Sequence, residues 1–413
     1  MASSRSSGCN IESLHFQRYR CFRDPQSVKV ARLSLVYGEN SAGKSALVRV
    51  PALLSASRTV GRPGLALESS FMAGAPFRDV QWRGGLSRDD DPDLRLGVSL
   101  GDGSNWQWTF RWLDLQSRDI VQHVSLNSGE VTASLEHVQA KTGRAGRFDV
   151  YRHDDGTDKP QAFDGILPRT VELPKLDAPV RALAAALDGV VWLGSSRRGP
   201  TRSGVARGAR GSLEGNGSGA DAIVLGDDEL RQGISKWFLR HTQHDLVPTD
   251  LGDELHRLVL RSAYRTNFDV SFPDVGEGLQ SVFPVLTALE KLRRDGGFLI
   301  VEEPESHLHP RLEQALAEHV VEVLRDQPAA RVLFETHSEV FLLAALDAAL
   351  DVLQDQVALH WVHSADGLGR VEQVPLKDGR PQTPRLELAF DTMGVMRRNL
   401  INRRRSHASR TTS

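Results

Sequence analysis

The residues best suited to chemistry form a glycine-rich segment near the start of the chain. Gly38-Glu39-Asn40-Ser41-Ala42-Gly43-Lys44-Ser45 fits the pattern G-x-x-x-x-G-K-[ST], between an apolar run and a helical pattern that continues from Ala46. Backbone N–H groups of such a loop close around a β-phosphate at a helix N-terminus, Lys44 can reach the β- and γ-phosphates, and Ser45 can ligate Mg²⁺. We therefore expect Gly38 to Ala46 to bind ATP. The alternative is a glycine turn without a function.

Two adjacent acids follow an apolar run in the second half of the chain. Gly297 to Val301 precedes Glu302-Glu303-Pro304. In phosphoryl transfer one acid holds the metal, directly or through water, and a second polarises the attacking water. We expect Glu302 to bind Mg²⁺ and Glu303 to act on the water. The alternative is a pair of surface acids that cap a strand.

The segment that starts with these acids resembles a known family. Glu302-Glu303-Pro304-Glu305-Ser306-His307-Leu308-His309-Pro310 is similar to the EEPE-x-HLHP segment of ABC-type ATPases of the SMC, RecF and OLD kind. The resemblance implies that this loop lies at a dimer interface. Read without the family, His307, His309 and nearby carboxylates could instead form a metal cluster.

Two further polar positions resemble sensors of the same class. Thr336-His337-Ser338 is similar to its switch-histidine motif, which implies that the imidazole contacts the γ-phosphate. A lone histidine is more often structural, but a position one strand after the paired acids favours the functional interpretation. Phe77 to Gly85 stands where the family carries its Q-loop, so Gln81 is a candidate sensor of Mg²⁺ or water. A surface turn is the alternative for Gln81.

The segment Asp274 to Pro284 resembles the signature segment of the family, VGxGLSQVLP. The resemblance implies a helix that points at the γ-phosphate of a partner subunit. Gly276, Gly278 and the helix N-terminus suit anion binding. Leu279-Gln280-Ser281 stands where Leu-Ser-Gln is usual, so it is open whether Gln280 or Ser281 meets the phosphate.

These residues can meet only if strands place them at one edge. Leu33 to Tyr37, Phe298 to Val301 and Val332 to Phe334 are apolar runs typical of buried parallel strands, and each precedes one of the polar motifs. Open α/β sheets bind ligands at the carboxyl ends of such strands. The expected fold class is α/β, a P-loop NTPase with the resemblance implying an ABC-type ATPase head.

The middle of the chain changes character twice. Asp93 to Tyr151 alternates polar and apolar residues around turn signals, which predicts an antiparallel β subdomain. Helical patterns at Pro179 to Leu187, Asp228 to Thr242 and Leu251 to Ala263 predict a helical insertion. Ser195 to Gly219 favours a mobile loop. The alternative is a phosphate or nucleic-acid contact through its arginines, which are Arg197, Arg198, Arg202, Arg207 and Arg210.

These patterns divide the chain into four parts. Residues 1–160 form an N-terminal ATPase lobe with the β subdomain, 161–265 the insertion, 266–395 a C-terminal ATPase lobe and 396–413 a basic tail. The tail is a candidate contact for nucleic acid or an acidic partner, with a solvated end as the alternative. Its arginines are Arg397, Arg398, Arg403, Arg404, Arg405 and Arg410.

Bulk composition sets outer limits on the class of protein. The chain has 413 residues, 40% of them hydrophobic and 25% charged, which indicates a folded globular protein. A formal net charge of -2 argues against a uniformly basic nucleic-acid coat. With two cysteines, no signal-peptide pattern and no apolar run near 20 residues, we expect a reduced cytoplasmic protein that does not span a membrane.

The resemblance also implies partners and a biological role. Members of the class close around ATP as dimers, so the expected cofactors are ATP and Mg²⁺ and the expected partner is a second copy. The leading hypothesis is a defence ATPase that controls a separate effector such as a nuclease or toxin. A RecF-like repair ATPase and a scaffold with little turnover are the alternatives. No acidic set typical of a Toprim nuclease follows the switch histidine, so we expect no nuclease in this chain.

Overall fold

A computed structural model describes residues 10–84, 93–143, 146–171, 173–205, 212–252, 255–264, 268–377 and 380–382. The predicted basic tail lies outside the described residues, and so do Arg207 and Arg210 of the loop predicted over Ser195 to Gly219. No helix within the described ranges is long and apolar enough to cross a membrane.

The described residues form a run of antiparallel strands in the first half of the chain and alternating helices and strands around the predicted motifs of the second half. In chain order the first half contains β1 (Ile11–Gln17), β2 (Gln26–Lys29), β3 (Leu33–Gly38), α1 (Lys44–Ser57), α2 (Phe77–Val80), β4 (Leu94–Leu100), β5 (Asn105–Leu113), β6 (Arg118–Asn127), β7 (Thr132–Gly143), β8 (Gly146–Arg152), β9 (Asp158–Pro160), β10 (Phe163–Asp164), β11 (Leu167–Pro168), α3 (Asp177–Asp188) and β12 (Val190–Leu193). The second half contains β13 (Gly204–Val205), α4 (Ala220–Leu225), α5 (Asp228–Thr242), β14 (His244–Gly252), β15 (Leu255–Ser262), β16 (Asp269–Ser271), α6 (Glu277–Asp295), β17 (Gly297–Glu302), α7 (Pro310–Asp326), β18 (Ala330–Glu335), α8 (Glu339–Ala349), β19 (Val357–Ala365), β20 (Leu368–Val374), β21 (Leu376–Lys377) and β22 (Arg380–Pro381).

The central sheet carries the predicted motifs. Its strand order is β12–β17–β18–β3–β19–β20, with β20 antiparallel to β19 and every other neighbouring pair parallel. Both faces are covered, because Phe298 and Ile300 enter one hydrophobic core and Leu299 and Val301 enter the other. This explains why β17 is apolar from Phe298 to Val301 rather than alternating. The prediction of buried parallel strands is confirmed.

A second, antiparallel sheet covers the face of the central sheet that carries α1. Its strand order is β2–β1–β4–β5–β6–β7–β8–β9, so the predicted hairpins between Asp93 and Tyr151 are confirmed. Trp106 and Trp108 are fully buried and stack at 5.9 Å between ring centroids. Their core is shared with α1, including Leu47 and Leu53, which ties this sheet to the helix that follows the phosphate loop.

The predicted helix over Leu251 to Ala263 is wrong. This stretch belongs to β14 and β15, which pair antiparallel from His244↔Ser262 to Gly252↔Leu255. Leucines at 251, 255 and 258 have helical spacing, but Leu258 to Leu260 are buried on both sides by neighbouring elements. Short apolar runs of this kind are ambiguous in sequence, and here the tertiary pairing decides.

The middle segment is also not a purely helical insertion. Helices are confirmed at α3 and α5, close to the predicted bounds. Between them, however, β12 forms the edge of the central sheet and pairs parallel with β17 from Val190↔Phe298 to Leu193↔Val301. The chain after β12 therefore begins at the same sheet edge as the paired acids.

Candidate functional site

The phosphate loop connects β3 to α1 and is packed tightly at both of its glycines. Gly38 has a φ of 151°, and a Cβ there would lie 1.9 Å from the Val362 carbonyl oxygen. Gly43 has a φ of 109°, and its Cβ would lie 2.4 Å from the sulfur of Cys21. Both positions therefore require glycine for conformation and for space. The loop is fixed between β19 and the turn that links β1 to β2.

The two side chains that follow the loop face its interior and the sheet edge. Lys44 Nζ donates to the carbonyl oxygens of Gly38 at 3.0 Å and Glu39 at 2.7 Å, and its burial lowers the pKa of the ammonium group. Ser45 Oγ donates to a carboxylate oxygen of Glu335 at 2.8 Å. Lys44 thus closes over the loop where phosphates are expected, and Ser45 meets an acid at the end of β18.

Glu302 is already paired in this structure. Arg49 donates from Nε and Nη2 to its two carboxylate oxygens, each at 2.6 Å, and Trp192 Nε1 donates to one of them at 2.9 Å. The Glu302 side chain is 3% exposed. Both oxygens that could reach Mg²⁺ therefore have protein partners, and a direct metal contact would require this ion pair to part.

The stability of this ion pair is testable. Removing one member of a buried pair leaves the other charge without a partner, so Arg49→Met should lower the free energy of unfolding by about 3 kcal/mol. Arg202 is a matched control, because it makes a similar two-pronged contact with Asp274 at the exposed surface. Arg202→Met should change stability little in the same denaturant titration. Equal losses for the two variants would contradict this account of the pair.

Glu303 is the more accessible of the two acids. Its side chain is 40% exposed, and its carboxylate accepts a hydrogen bond from Ser306 Oγ at 3.2 Å. Its backbone adopts a φ of 47°, which is uncommon for a residue other than glycine and turns the side chain away from the regular strand direction. This geometry suits a carboxylate that acts on a water molecule.

His337 lies between two acids at the edge of the sheet. Its Nε2 is 3.9 Å from Glu303 Oε1 and 4.0 Å from Glu335 Oε1. Burial, and then the charge of Lys44, lower the pKa of His337, so the imidazole is neutral at pH 7. The predicted Glu303 and His337 are therefore neighbours.

Sequence reasoning missed Glu335, which directly follows an apolar run as Glu302 does. The two residues are in register across β17 and β18, and burial followed by the charge of Glu302 raises the pKa of Glu335 to about 7. Its Oε2 is buried without a hydrogen-bond partner, beside the hydroxyl of Ser45. An orphaned carboxylate oxygen next to a hydroxyl fits Mg²⁺, which prefers oxygen ligands.

Glu305 is a second missed acid and holds the switch segment in place. One of its oxygens accepts from Thr336 Oγ at 2.8 Å, from the His337 backbone N–H at 2.8 Å and from the Ser338 N–H at 3.1 Å. Burial raises the pKa of Glu305. The sequence feature that could have identified Glu305 is its place in the family-like segment that begins at Glu302. Glu305 therefore orients His337 without being exposed itself.

A metal cluster around the two nearby histidines gains no support. His309 caps α7 by accepting from the Arg311 N–H, and His307 Nε2 lies 3.6 Å from Glu277. Within the described ranges, no group of three or more His, Cys, Asp or Glu side chains is arranged to hold a metal.

The signature segment presents backbone rather than side chains. Gly276 caps α6 and is exposed, and a Cβ on Gly278 would lie 2.4 Å from the His307 carbonyl oxygen. Gln280 Nε2 donates back to the Val275 carbonyl oxygen at 2.9 Å, and Ser281 is buried. In this structure Gln280 is bonded to the backbone and Ser281 Oγ is buried without a hydrogen-bond partner, whereas the N-terminus of α6 is exposed.

The backbone of Gln81 is held by the turn after β1. Gln81 follows α2, and its backbone forms a bridge with Tyr19 in that turn. This position is beside the packing that supports Gly43. Its role as a sensor stays a prediction.

Arg197 departs most from the prediction of a mobile loop over Ser195 to Gly219. Its guanidinium donates to four backbone carbonyl oxygens, and its burial lowers the pKa to about 10. The accepting residues are Gly194, Ser281, Glu302 and Glu303. This part of the segment is therefore tied to the site rather than mobile.

Comparisons with known proteins agree with the motifs. The family model described as "AAA domain, putative AbiEii toxin, Type IV TA system" matches residues 222–344. An OLD nuclease of Thermus scotoductus is 30% identical over 141 residues, which are 32% of this chain and 26% of the relative. The chain thus spans about a quarter of the length of that curated relative.

Solved structures give similar matches at low identity. The SMC head domain from Thermotoga maritima is 14% identical, with 89% of this chain and 100% of that chain covered and a TM-score of 0.43. An SmcHead bound to the C-winged helix domain of ScpA is 12% identical, with 89% and 98% covered and a TM-score of 0.48. The family model and the OLD nuclease relative confirm the resemblance recognised from the motifs: the chain is similar to SMC/RecF/OLD-like P-loop ATPases of the ABC type.

Proposed function

We propose that this protein binds ATP with Mg²⁺ and hydrolyses it as a switch between open and closed dimers. The observation that carries the proposal is the meeting of three motifs at the carboxyl ends of neighbouring strands. β3 leads to Lys44 and Ser45, β17 to Glu303, and β18 to His337. Ligand binding at that edge is the general rule for open α/β sheets.

Each residue has a place in the proposed reaction. Lys44 would leave the loop carbonyls to neutralise the β- and γ-phosphates, and Ser45 and Glu335 would offer oxygens to Mg²⁺. When bound there, the metal would supply charge that stabilises the transferred phosphoryl group. Glu303 accepts a hydrogen bond from the attacking water and polarises it. His337, neutral at pH 7, contacts the γ-phosphate from the neighbouring strand.

Closure would use the exposed N-terminus of α6. Helix N-termini favour anions, and Gly276 leaves space for the γ-phosphate of the partner subunit. ATP would then join two subunits, and its hydrolysis would release them. The same helix is tied to Glu303 within one chain through Arg197, so closure and chemistry are linked.

The biological role we propose is antiphage defence in the cytoplasm through a separate effector. The OLD nuclease relative and the toxin–antitoxin description of the matching family support this role. The effector would be a nuclease or toxin, and DNA or RNA is the candidate trigger. We keep the two ATPase lobes that the sequence predicts. We add to their central sheet the strand β12, which the sequence-based division places in the insertion over 161–265.

One observation favours a second candidate, a nucleotide-dependent scaffold with little turnover. The ion pair of Glu302 with Arg49 occupies both oxygens of an acid expected at the metal. If that pair persists with ATP bound, hydrolysis is slow and the closed state is long-lived. Such a protein would hold an effector until a trigger releases it.

Phosphate release in a magnesium titration tests the proposed function. We expect turnover that saturates with ATP, requires Mg²⁺ and disappears with a chelator, because the γ-phosphate needs metal charge in the transition state. A matched titration with calcium controls for ionic strength. Tight binding with negligible turnover would favour the scaffold. Absence of ATP binding at millimolar Mg²⁺ would contradict both candidates.

A further inference from the structure

One buried guanidinium connects the two segments that carry the proposed chemistry. Arg197 Nη1 donates to the Glu302 carbonyl oxygen at 2.6 Å and Nη2 donates to that of Glu303 at 2.7 Å. Its Nε donates to the Ser281 carbonyl oxygen on α6 at 3.1 Å, and Nη1 also donates to Gly194 at 2.6 Å. The loop after β17 and the signature helix therefore share one partner.

The contacts exclude a phosphate contact for Arg197 in this arrangement. A guanidinium has five N–H donors in a fixed plane, and four hydrogen bonds to main-chain oxygens use most of them. The alternative of a nucleic-acid contact fails for Arg197 for the same reason. The neighbouring Arg198, by contrast, is exposed to solvent.

The shape of the guanidinium suits it to fix a peptide. It holds two consecutive carbonyl oxygens, those of Glu302 and Glu303, on either side of a backbone with a φ of 47°. Such a conformation persists only when its surroundings impose it. Charge-assisted hydrogen bonds are the stronger kind, and an ammonium group lacks the planar fork that holds several oxygens at once.

We propose that Arg197 is a positioning residue that holds Glu303 in the geometry needed to polarise water and links that geometry to the signature helix. The proposal rests on the proposed function, in which Glu303 acts on the attacking water. When the N-terminus of α6 contacts a phosphate of the partner subunit, the position of α6 is transmitted to the Glu303 peptide. The Ser281 carbonyl oxygen and Arg197 form the connection. Arg197 itself touches neither phosphate nor water.

A double-mutant cycle separates positioning from general structural support. Single-turnover rates with labelled ATP are measured for Arg197→Met in the parent protein and in a Glu303→Gln protein. Misplacing a catalytic group by about 1 Å can cost on the order of a hundredfold, so the parent should lose about tenfold to a hundredfold in rate. Affinity for ATP should stay within about threefold, because Arg197 contacts only protein. In the Glu303→Gln background the further loss should be below about twofold, because the carboxylate it positions is gone.

The control is Arg181→Met, which removes an exposed arginine of α3 that pairs with Asp177, and parental rates are expected. If Arg197→Met does not fold, Arg197→Lys goes through the same cycle, since it keeps the charge but loses the fork. Equal losses in both backgrounds, or parental rates for both Arg197 variants, would overturn the positioning role alone. A parent protein that binds ATP without turnover would instead overturn the hydrolytic function, so the two failures are distinguishable.

Discussion

We expect the replacement of Lys44 by alanine to abolish ATP turnover and to weaken ATP binding. A charged hydrogen bond contributes about 1.5–3 kcal/mol, so the loss of its contacts corresponds to a decrease in affinity of about tenfold to a hundredfold. Within the described site, Lys44 is the cation that closes over the phosphate loop, through Gly38 and Glu39. Nucleotide titration and phosphate release measure the two effects separately.

A matched control comes from a lysine outside the site. Lys236 is exposed on α5, so Lys236→Ala removes the same charge from a surface helix and should leave both quantities at the parental level. If Lys44→Ala kept parental affinity together with parental turnover, the phosphate-loop assignment would be wrong.

Glu303→Gln is expected to separate hydrolysis from binding. Glutamine keeps the size of the side chain and its contact with Ser306, but it loses the charge that polarises water, and general-base catalysis contributes about 10²–10⁴-fold. The rate constant for hydrolysis should fall by that factor while ATP still binds. Single-turnover kinetics and a binding titration on one preparation test this.

The neighbouring acid provides the contrast. Glu302→Gln removes the charged partner of Arg49, whose side chain is 28% exposed, so it should lower the free energy of unfolding. Its effect on the rate should be milder than that of Glu303→Gln. Parental hydrolysis by Glu303→Gln would refute the assignment of the two acids.

The phosphate loop, the paired acids and the switch histidine could be predicted because each is a local pattern at the end of an apolar strand. An unbroken apolar run such as Phe298 to Val301 of β17 is typical of a strand with both faces buried, and it therefore predicts a covered parallel sheet. The family resemblance then supplied the order of the motifs. These inferences need only residues close together in the chain.

The missed residues depend on contacts between distant parts of the chain. Arg49 and Glu302 are 253 positions apart, and Arg197 and Ser281 are 84 apart, so no local spacing joins them. Glu335 follows its strand as Glu302 does, but only the β17–β18 register shows that the two face one site. The hairpin of β14 and β15 was missed because its leucine spacing also fits a helix.

The mass of the Glu303→Gln protein in solution tests the central claim most directly. If ATP joins two subunits through the γ-phosphate, slow hydrolysis traps the closed state, and light scattering with ATP and Mg²⁺ should show twice the mass of one chain or a larger assembly. The same protein with ADP should show the smaller species. A mass that does not change between ADP and saturating ATP would contradict the account of an ATP-driven dimer switch.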